Sequence, residues 1–325
     1  MSDGRRYFLV GGAGFIGSHF VDRLLSTPET ARVTVYDNFR SGRDWHLAHH
    51  VVDERLVVVR GDAKDLDALT GAMAGHDVVV HLASNPDIAR AMTDPAVDFD
   101  EGTLLTHHVV EAMRQTETPR VLYASGSGVY GDLGEREIGE DWGPLVPIST
   151  YGASKLAGEA LISAYSFMFG LSGRVFRFGN VVGPRQTHGV GFDFVRRLLE
   201  DATTLQILGD GRQSKSYIHV EDVVDAVLVA DRGATSDYDA FNVATGDYIT
   251  VTEIADLAVE TVGLEPAEVR YEYTGGERGW RGDVPVVRLN TDRIRHLGWR
   301  NRRSSREALQ DSMQALLDEA RAGHV

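Results

Sequence analysis

Tyr151 and Lys155 stand four residues apart in Tyr151-Gly152-Ala153-Ser154-Lys155, inside a stretch that reads as helix, so the two side chains share one face. An ammonium beside a phenol favours the phenolate and lowers a pKa that is about 10 when unperturbed, which would let Tyr151 act as acid or base near neutral pH. Further back, the apolar run Arg120-Val121-Leu122-Tyr123-Ala124 ends in Ser125-Gly126-Ser127-Gly128-Val129-Tyr130-Gly131. Small hydroxyl side chains at the carboxyl end of a strand are well placed to face reacting groups, and the glycines suit a tight bend.

The elements that must position this pair begin near the amino terminus. The apolar run Tyr7-Phe8-Leu9-Val10 leads into Gly11-Gly12-Ala13-Gly14-Phe15-Ile16-Gly17 and then a helical pattern with Phe20, Leu24 and Leu25. Gly11 makes the tight turn, Gly14 lets the backbone approach a pyrophosphate, and Gly17 allows the helix to pack on the strand, with phosphate at the helix amino terminus. The next strand, Val33-Thr34-Val35-Tyr36, ends at Asp37, twenty residues beyond Gly17. A carboxylate there accepts adenosine ribose hydroxyls and repels an added phosphate, so NAD is expected rather than NADP.

Strand and helix patterns continue to alternate. Leu56-Val57-Val58-Val59 precedes Gly61-Asp62-Ala63, and Val78-Val79-Val80-His81 precedes Leu82-Ala83-Ser84. Near-continuous β-branched runs predict buried parallel strands, with the residues after them at the ligand-binding edge of an open α/β sheet. Asp62 is placed either to hydrogen-bond adenine or to cap its own turn. His81 reads as a packed core histidine. His49-His50 and His107-His108 show no matching acid nearby, so no metal site is expected. A long helix is predicted from about Asp94 to Thr116, its apolar stripe serving the core or a subunit interface.

Composition narrows the function classes. The 325 residues are 42% hydrophobic and 25% charged, enough for a large core in one big or two modest domains. A net charge of -15 argues against a nucleic-acid surface, and the absence of cysteine removes disulfides and thiol chemistry. No run approaches the eighteen or so apolar residues that span a bilayer, so no membrane partner and a cytoplasmic location are expected.

In their order, these features resemble the extended short-chain dehydrogenase/reductase family, and within it the NAD-dependent nucleotide-sugar epimerase and dehydratase group. The resemblance is carried by Gly11 to Gly17, Asp37-Asn38 with Ser41-Gly42, Gly61-Asp62, His81-Leu82-Ala83, Val129-Tyr130-Gly131, Tyr151 with Lys155, Arg177 with Asn180, Gly183-Pro184-Arg185-Gln186, Gly209-Asp210-Gly211 and Gly282-Asp283. It implies a Rossmann-type doubly wound parallel sheet with a smaller α/β carboxyl-terminal substrate lobe. The expected division is residues 1–180, rejoined by about 217–249, against 181–216 and 250–325. The implied cofactor set is Gly11, Gly14, Phe15, Ile16, Gly17, Asp37, Asn38, Ser41, Gly42, Asp62, Ala63, Leu82, Ala83, Ser84, Tyr151 and Lys155.

The resemblance also implies a mechanism. Tyr151 as phenolate takes the proton from a sugar 4-hydroxyl while NAD takes the C4 hydride, Lys155 holds the nicotinamide ribose, and a serine of the 125–128 segment relays the proton. Dehydratases of the group carry an Asp-Glu pair just before the valine that corresponds to Val129, and decarboxylases a glutamate. Here those positions are Ser127 and Gly128, which leaves 4-epimerisation of a UDP-hexose, through a 4-keto intermediate, as the expected reaction. UDP-glucuronate decarboxylation and 4,6-dehydration are the neighbouring alternatives, and a catalytically silent NAD-binding sensor is the alternative of another class.

Two positions depart from the family pattern. Gly126 replaces the usual hydroxyl residue, so the assisting serine is Ser127 or Ser125, with Ser127 favoured. Phe99 replaces an asparagine. On the substrate side the resemblance implies Ser127, Asn180, Arg185, Gln206, Lys215, Tyr217, Arg278 and Asp283. Lys215 keeps the charge of the usual arginine but loses its bidentate fork. Arg185 would select a C6 carboxylate if it faces the sugar, and the C6 substituent stays open between hydroxymethyl and carboxylate. A homodimer pairing the helices near 94–116 and 151–169 is expected.

Overall fold

The computed structural model describes residues 4–85 and 88–324, which form two compact units. The first comprises residues 1–129, 150–177 and 227–241, and the second 130–149, 178–226 and 242–325. The chain passes from the second back to the first within the helix Val220–Gly233.

The first unit is built on a seven-stranded sheet. In chain order its first five strands are β1 (Arg5–Val10), β2 (Thr30–Asp37), β3 (Leu56–Arg60), β4 (Val78–His81) and β5 (Arg120–Gly126). Across the sheet the order is Tyr238–Val243, Ser172–Phe178, β5, β4, β1, β2, β3. The ladders joining β3, β2, β1, β4 and β5 are all parallel. The order reverses between β1 and β4, where open α/β sheets bind ligands beyond their carboxyl ends.

Helices α1 (Phe15–Leu25), α2 (Leu66–Met73), α3 (Leu105–Thr116) and α4 (Thr150–Phe169) belong to this unit. Apolar residues of the sheet, among them Phe8, Val79 and Val121, form one core with Leu69, Val109, Met113 and Ile162 from the helices. β4 is buried along its whole length, as a central parallel strand requires.

β3 departs from the expected burial. It is the last strand of the sheet, paired on one side only, and Val57 and Val58 are 36% and 45% exposed. The continuous valine run therefore reflects strand propensity at an edge rather than burial on both faces.

The expected helix from Asp94 also begins differently. Asp94 is not helical, in keeping with the bias that Pro95 imposes on the residue before it. A π-helical stretch, Phe99–Leu104, leads into α3, which ends at Glu117 in the left-handed conformation. The π segment packs on α4: a Cβ on Gly102 would lie 2.5 Å from Ser154 Oγ.

The second unit assembles from short strand pairs covered by helices. Asn180–Val182 pairs with Tyr217–His219, Thr204–Ile207 with Arg270–Tyr273, and Ser214–Lys215 with Ile249–Thr250. The helices Val190–Glu200, Val251–Thr261 and Ser305–Arg321 enclose a core that includes Phe194, Leu205, Ile254 and Leu309. Thr250 with Glu253, and Ser304 with Glu307, close reciprocal capping boxes at the last two.

Residues 130–149 cluster here and not with 1–129, against the sequence expectation. Their anchors are remote in sequence: Glu137–Ile138 pairs with Arg288–Leu289, and the Tyr130 hydroxyl donates to Asn242 at 2.8 Å. For the same reason 217–226 and 242–249 fall in the second unit, because Tyr217–His219 and Ile249–Thr250 find their partners there. Among the described residues no helix is long and apolar enough to cross a membrane.

Candidate active site

The glycine turn is shaped by close backbone approach. Gly11 has φ +84°, and a Cβ on it would stand 2.8 Å from the Ala83 nitrogen. On Gly17 a Cβ would come within 2.4 Å of the Gly11 carbonyl oxygen. Only glycine fits either place. Gly14 is the N-cap of α1, so Phe15, Ile16 and Gly17 form its first turn, which holds no acidic residue. A helix amino terminus of this kind, reached across a surface without side chains, suits the pyrophosphate of a dinucleotide.

Asp37 ends β2 and is buried, its carboxylate accepting from the backbone nitrogens of Ala13 at 2.9 Å and Phe39 at 2.8 Å. Burial raises its pKa, with the two backbone bonds opposing. Each oxygen retains a further lone pair, so the same group can receive a ribose hydroxyl. Gly42 lies against it: a Cβ there would be 3.0 Å from Asp37 Oδ1. Asn38 is exposed and turns its amide oxygen to the Arg40 nitrogen, while Ser41 is half-buried.

Asp62 is engaged locally, accepting from the Lys64 nitrogen at 2.9 Å, which is the turn-capping use of the two weighed from sequence. Ala63 is buried. The backbone nitrogens of Leu82 and Ala83 both donate to the Val10 carbonyl oxygen, which fixes the crossover at the carboxyl ends of β1 and β4. Ser84 is placed beside Tyr151, its hydroxyl donating to the Asn85 carbonyl oxygen at 3.4 Å and its proximity favouring the phenolate.

α4 presents Tyr151 and Lys155 in its first turns. Lys155 is 3% exposed, and its ammonium donates to the Ala124 carbonyl oxygen at 2.8 Å while lying 5.4 Å from the Tyr151 ring centroid and 5.3 Å from that of Tyr123. Burial brings its pKa down to about 8, opposed by Asp98 and Glu159. The phenol behaves differently from the sequence expectation. Burial is the largest influence on Tyr151 and raises its pKa, against the lowering effect of Ser84. In this structure desolvation of the phenolate is the larger influence, so the phenol is held neutral.

The two candidate serines are not equivalent. Ser125 is buried, and its hydroxyl donates to Glu159 at 2.6 Å; Glu159 in turn holds Arg177 through a buried ion pair at 2.7 Å. Ser127 is half-buried and opens the short turn Ser127–Tyr130. Gly128 lies against α4, where an added Cβ would be 3.5 Å from the Gly152 Cα, and at Gly126 a Cβ would meet nothing within 4 Å.

One buried group tied to the start of α4 carried no sequence signal. Asp98 accepts from Asn85 Nδ2 at 2.9 Å and from the Thr150 hydroxyl at 2.6 Å, tying the start of α4 to the segment after β4. His81 is a core histidine as expected: its Nε2 meets the Thr106 hydroxyl at 3.0 Å, and burial brings its pKa down to about 3. His49 and His50, read as lacking a partner acid, in fact share one: both Nε2 atoms lie 2.8 Å from Asp22 Oδ1.

In the second unit, Lys215, Arg278 and Asp283 come together. Lys215 Nζ lies 2.6 Å from Asp283 Oδ1, and the Arg278 guanidinium donates to the Asp283 carbonyl oxygen and pairs with Asp132. Asp283 is thus positioned to orient both cations. Asn180 is exposed and sits opposite the buried Tyr217 in their strand pair. Gln206 lies on the strand Thr204–Ile207 with its side chain exposed. Arg185 stands apart in a left-handed conformation, φ +66°, its nitrogen donating to Glu319 at 2.7 Å.

Comparison with known proteins places this geometry among relatives. A family model described as the NAD dependent epimerase/dehydratase family matches residues 7–244. A UDP-glucose 4-epimerase from Mycolicibacterium smegmatis is 34% identical over 302 residues, covering 90% of this chain and 93% of the relative. The crystal structure of a UDP-galactose 4-epimerase is similar with a TM-score of 0.85 at 37% identity, over 97% of this chain and 99% of the other. That of a dTDP-glucose 4,6-dehydratase from Streptomyces venezuelae with NAD bound has a TM-score of 0.89 at 27% identity, over 98% of each chain. The chain belongs to the NAD dependent epimerase/dehydratase family.

Proposed function

We propose that this protein catalyses C4 epimerisation of a UDP-hexose with bound NAD. The observation that carries the reading is the segment 125–128, which lies against α4 beside Tyr151 and holds Ser125, Gly126, Ser127 and Gly128 but no carboxylate. Elimination of water across C5 and C6 needs an acid and a base there, and nothing in that segment supplies them.

The residues that would hold NAD are the glycine turn with Phe15 and Ile16, Asp37 with the Asn38 to Gly42 segment, the Leu82 to Ser84 crossover, Tyr151 and Lys155. When bound, NAD supplies a reversible hydride acceptor, through which the sugar passes by way of a 4-keto form, and its nicotinamide ring brings a positive charge. The chain supplies the proton chemistry. Tyr151 takes the proton from the sugar 4-hydroxyl and returns it, and Ser127 hydrogen-bonds the same oxygen. A second positive charge beside the phenol would offset the desolvation that holds it neutral in the structure. In the second unit Lys215 and Arg278 provide the cations for the diphosphate, oriented by Asp283, with Asn180 and Tyr217 nearby. A guanidinium offers five donors, so Arg278 can keep Asp132 and still bind a phosphate oxygen.

The test is to incubate the purified protein with UDP-glucose, and separately with UDP-glucuronate, adding no NAD, and to identify products by NMR. A C4 epimer of either sugar supports the reading, and the substrate that turns over identifies the C6 substituent. A UDP-pentose with released carbon dioxide would replace it with decarboxylation. Bound NAD without turnover of any sugar nucleotide would leave a dinucleotide sensor.

A further inference from the structure

We propose that Asp22, His49 and His50 form a binding site for a late first-row divalent transition-metal ion of the zinc type. His49 and His50 are consecutive in the short turn Ala48–His50, which follows β2, and Asp22 lies in α1. Their imidazole rings sit side by side with centroids 4.1 Å apart, and both Nε2 atoms converge on the same oxygen, Asp22 Oδ1, at 2.8 Å each. One ligand atom from each of the three residues lies within 4.8 Å of the other two. Among the described residues no other such group is found.

Two imidazoles and one carboxylate are the donors that zinc, nickel and copper take, whereas magnesium and calcium require oxygen. Bond lengths near 2.0–2.2 Å put tetrahedral ligand atoms roughly 3.3 Å apart, so the two Nε2–Oδ1 separations, now 2.8 Å, would open by only about half an ångström to admit the ion. Each ring would give up the proton it now shares with Asp22, or carry it on Nδ1, and coordinate through the Nε2 lone pair. The site is open to solvent: the His49 side chain is 53% exposed, His50 20% and Asp22 31%. Three protein ligands leave at least one position for water.

The ion would fasten α1 to the segment after β2. That segment already holds the glycine turn, through Arg43, whose nitrogen donates to the Ala13 carbonyl oxygen, and His46, whose Nδ1 meets the same oxygen at 2.8 Å. Metal binding to the folded chain therefore raises its stability, by an amount that grows with the logarithm of the free metal concentration above Kd.

Zinc chloride titrated into the chelator-treated full chain, followed by calorimetry and by melting temperature, tests the site. Saturation at one zinc per chain is expected, with a rise in melting temperature. His49→Ala, His50→Ala and Asp22→Asn should each weaken binding by at least about tenfold, while His107→Ala/His108→Ala, which removes the other histidine pair, leaves it unchanged. Magnesium chloride should bind far more weakly. The melting temperature of each variant without metal shows that it is folded. Absence of saturable zinc binding, zinc binding that survives His49→Ala/His50→Ala, or equal affinity for magnesium would each overturn the proposal.

Discussion

The ammonium of Lys155 donates to the carbonyl oxygen of Ala124 at 2.8 Å, across from the carboxyl end of β5, and lies 5.4 Å from the ring of the tyrosine one helical turn before it. The lysine is thus anchored to the sheet. Its charge is fixed in place near the phenol, while Ser84, placed beside Tyr151, favours the phenolate. Tyr151→Phe removes the acid-base group while keeping the ring and its packing. Turnover should fall by about a hundredfold to ten-thousandfold with NAD still bound, checked by product formation and by the absorbance of the purified protein after denaturation. An active Tyr151→Phe enzyme would move the proton chemistry to another group.

The depressed lysine makes a pH prediction whose sign is fixed. Its folded value of about 8 lies below the ordinary 10.5, so between these values the unfolded chain binds more protons and stability rises with pH. The effect of burying the cation is fully felt below about 8 and is relieved as pH climbs through that value. Unfolding of the cofactor-free protein, measured from pH 7 to 10 against Lys155→Met, should show the wild type gaining relative to the variant. Asp98 opposes the depression from a buried position, so Asp98→Asn should shift the wild-type gain to lower pH.

What the sequence could reveal of this site followed from how local each constraint is. Gly11 and Gly17 are legible because a positive φ and a close approach to the backbone leave no other residue for those places. Tyr151 and Lys155 are legible because helical spacing alone brings them to one face. Asp98 is not, since its partners Asn85 and Thr150 stand 13 and 52 residues away. The pairing of Glu137–Ile138 with Arg288–Leu289 is equally remote, which is why the segment 130–149 was expected in the wrong unit. The direction of the Tyr151 shift also lay beyond the sequence: spacing reveals the cation, but burial of the phenol sets the direction.

In the last turn of α4, Phe167 and Met168 are 80% and 71% exposed. With Phe169, which is 47% exposed, they put three large apolar side chains in succession on the surface, an opening for a second copy of the chain. A homodimer is therefore expected in light scattering coupled to size exclusion. Phe167→Ser/Met168→Ser should shift the equilibrium toward monomer without lowering the melting temperature of the monomer. A monomeric wild type at micromolar concentration would exclude this face as an interface.

The serine that assists Tyr151 can be identified by separating stability from rate. Ser125 is bonded to Glu159, a carboxylate that is itself 3% exposed, so Ser125→Ala leaves a buried acceptor short of one bond and should lower stability by about 1–3 kcal/mol. Its effect on kcat should be small. Ser127 is half-buried in the turn that follows, and Ser127→Ala should reduce kcat by about tenfold or more while urea unfolding is unchanged. Gly126 offers the decisive control, because an added Cβ there meets nothing within 4 Å and its backbone is not left-handed. Gly126→Ser should therefore fold normally. Placed in the Ser127→Ala background, it should recover part of the lost turnover if what the reaction needs is one hydroxyl on this segment. A large loss of kcat in Ser125→Ala, with none in Ser127→Ala, would assign the proton relay to the Ser125–Glu159 pair.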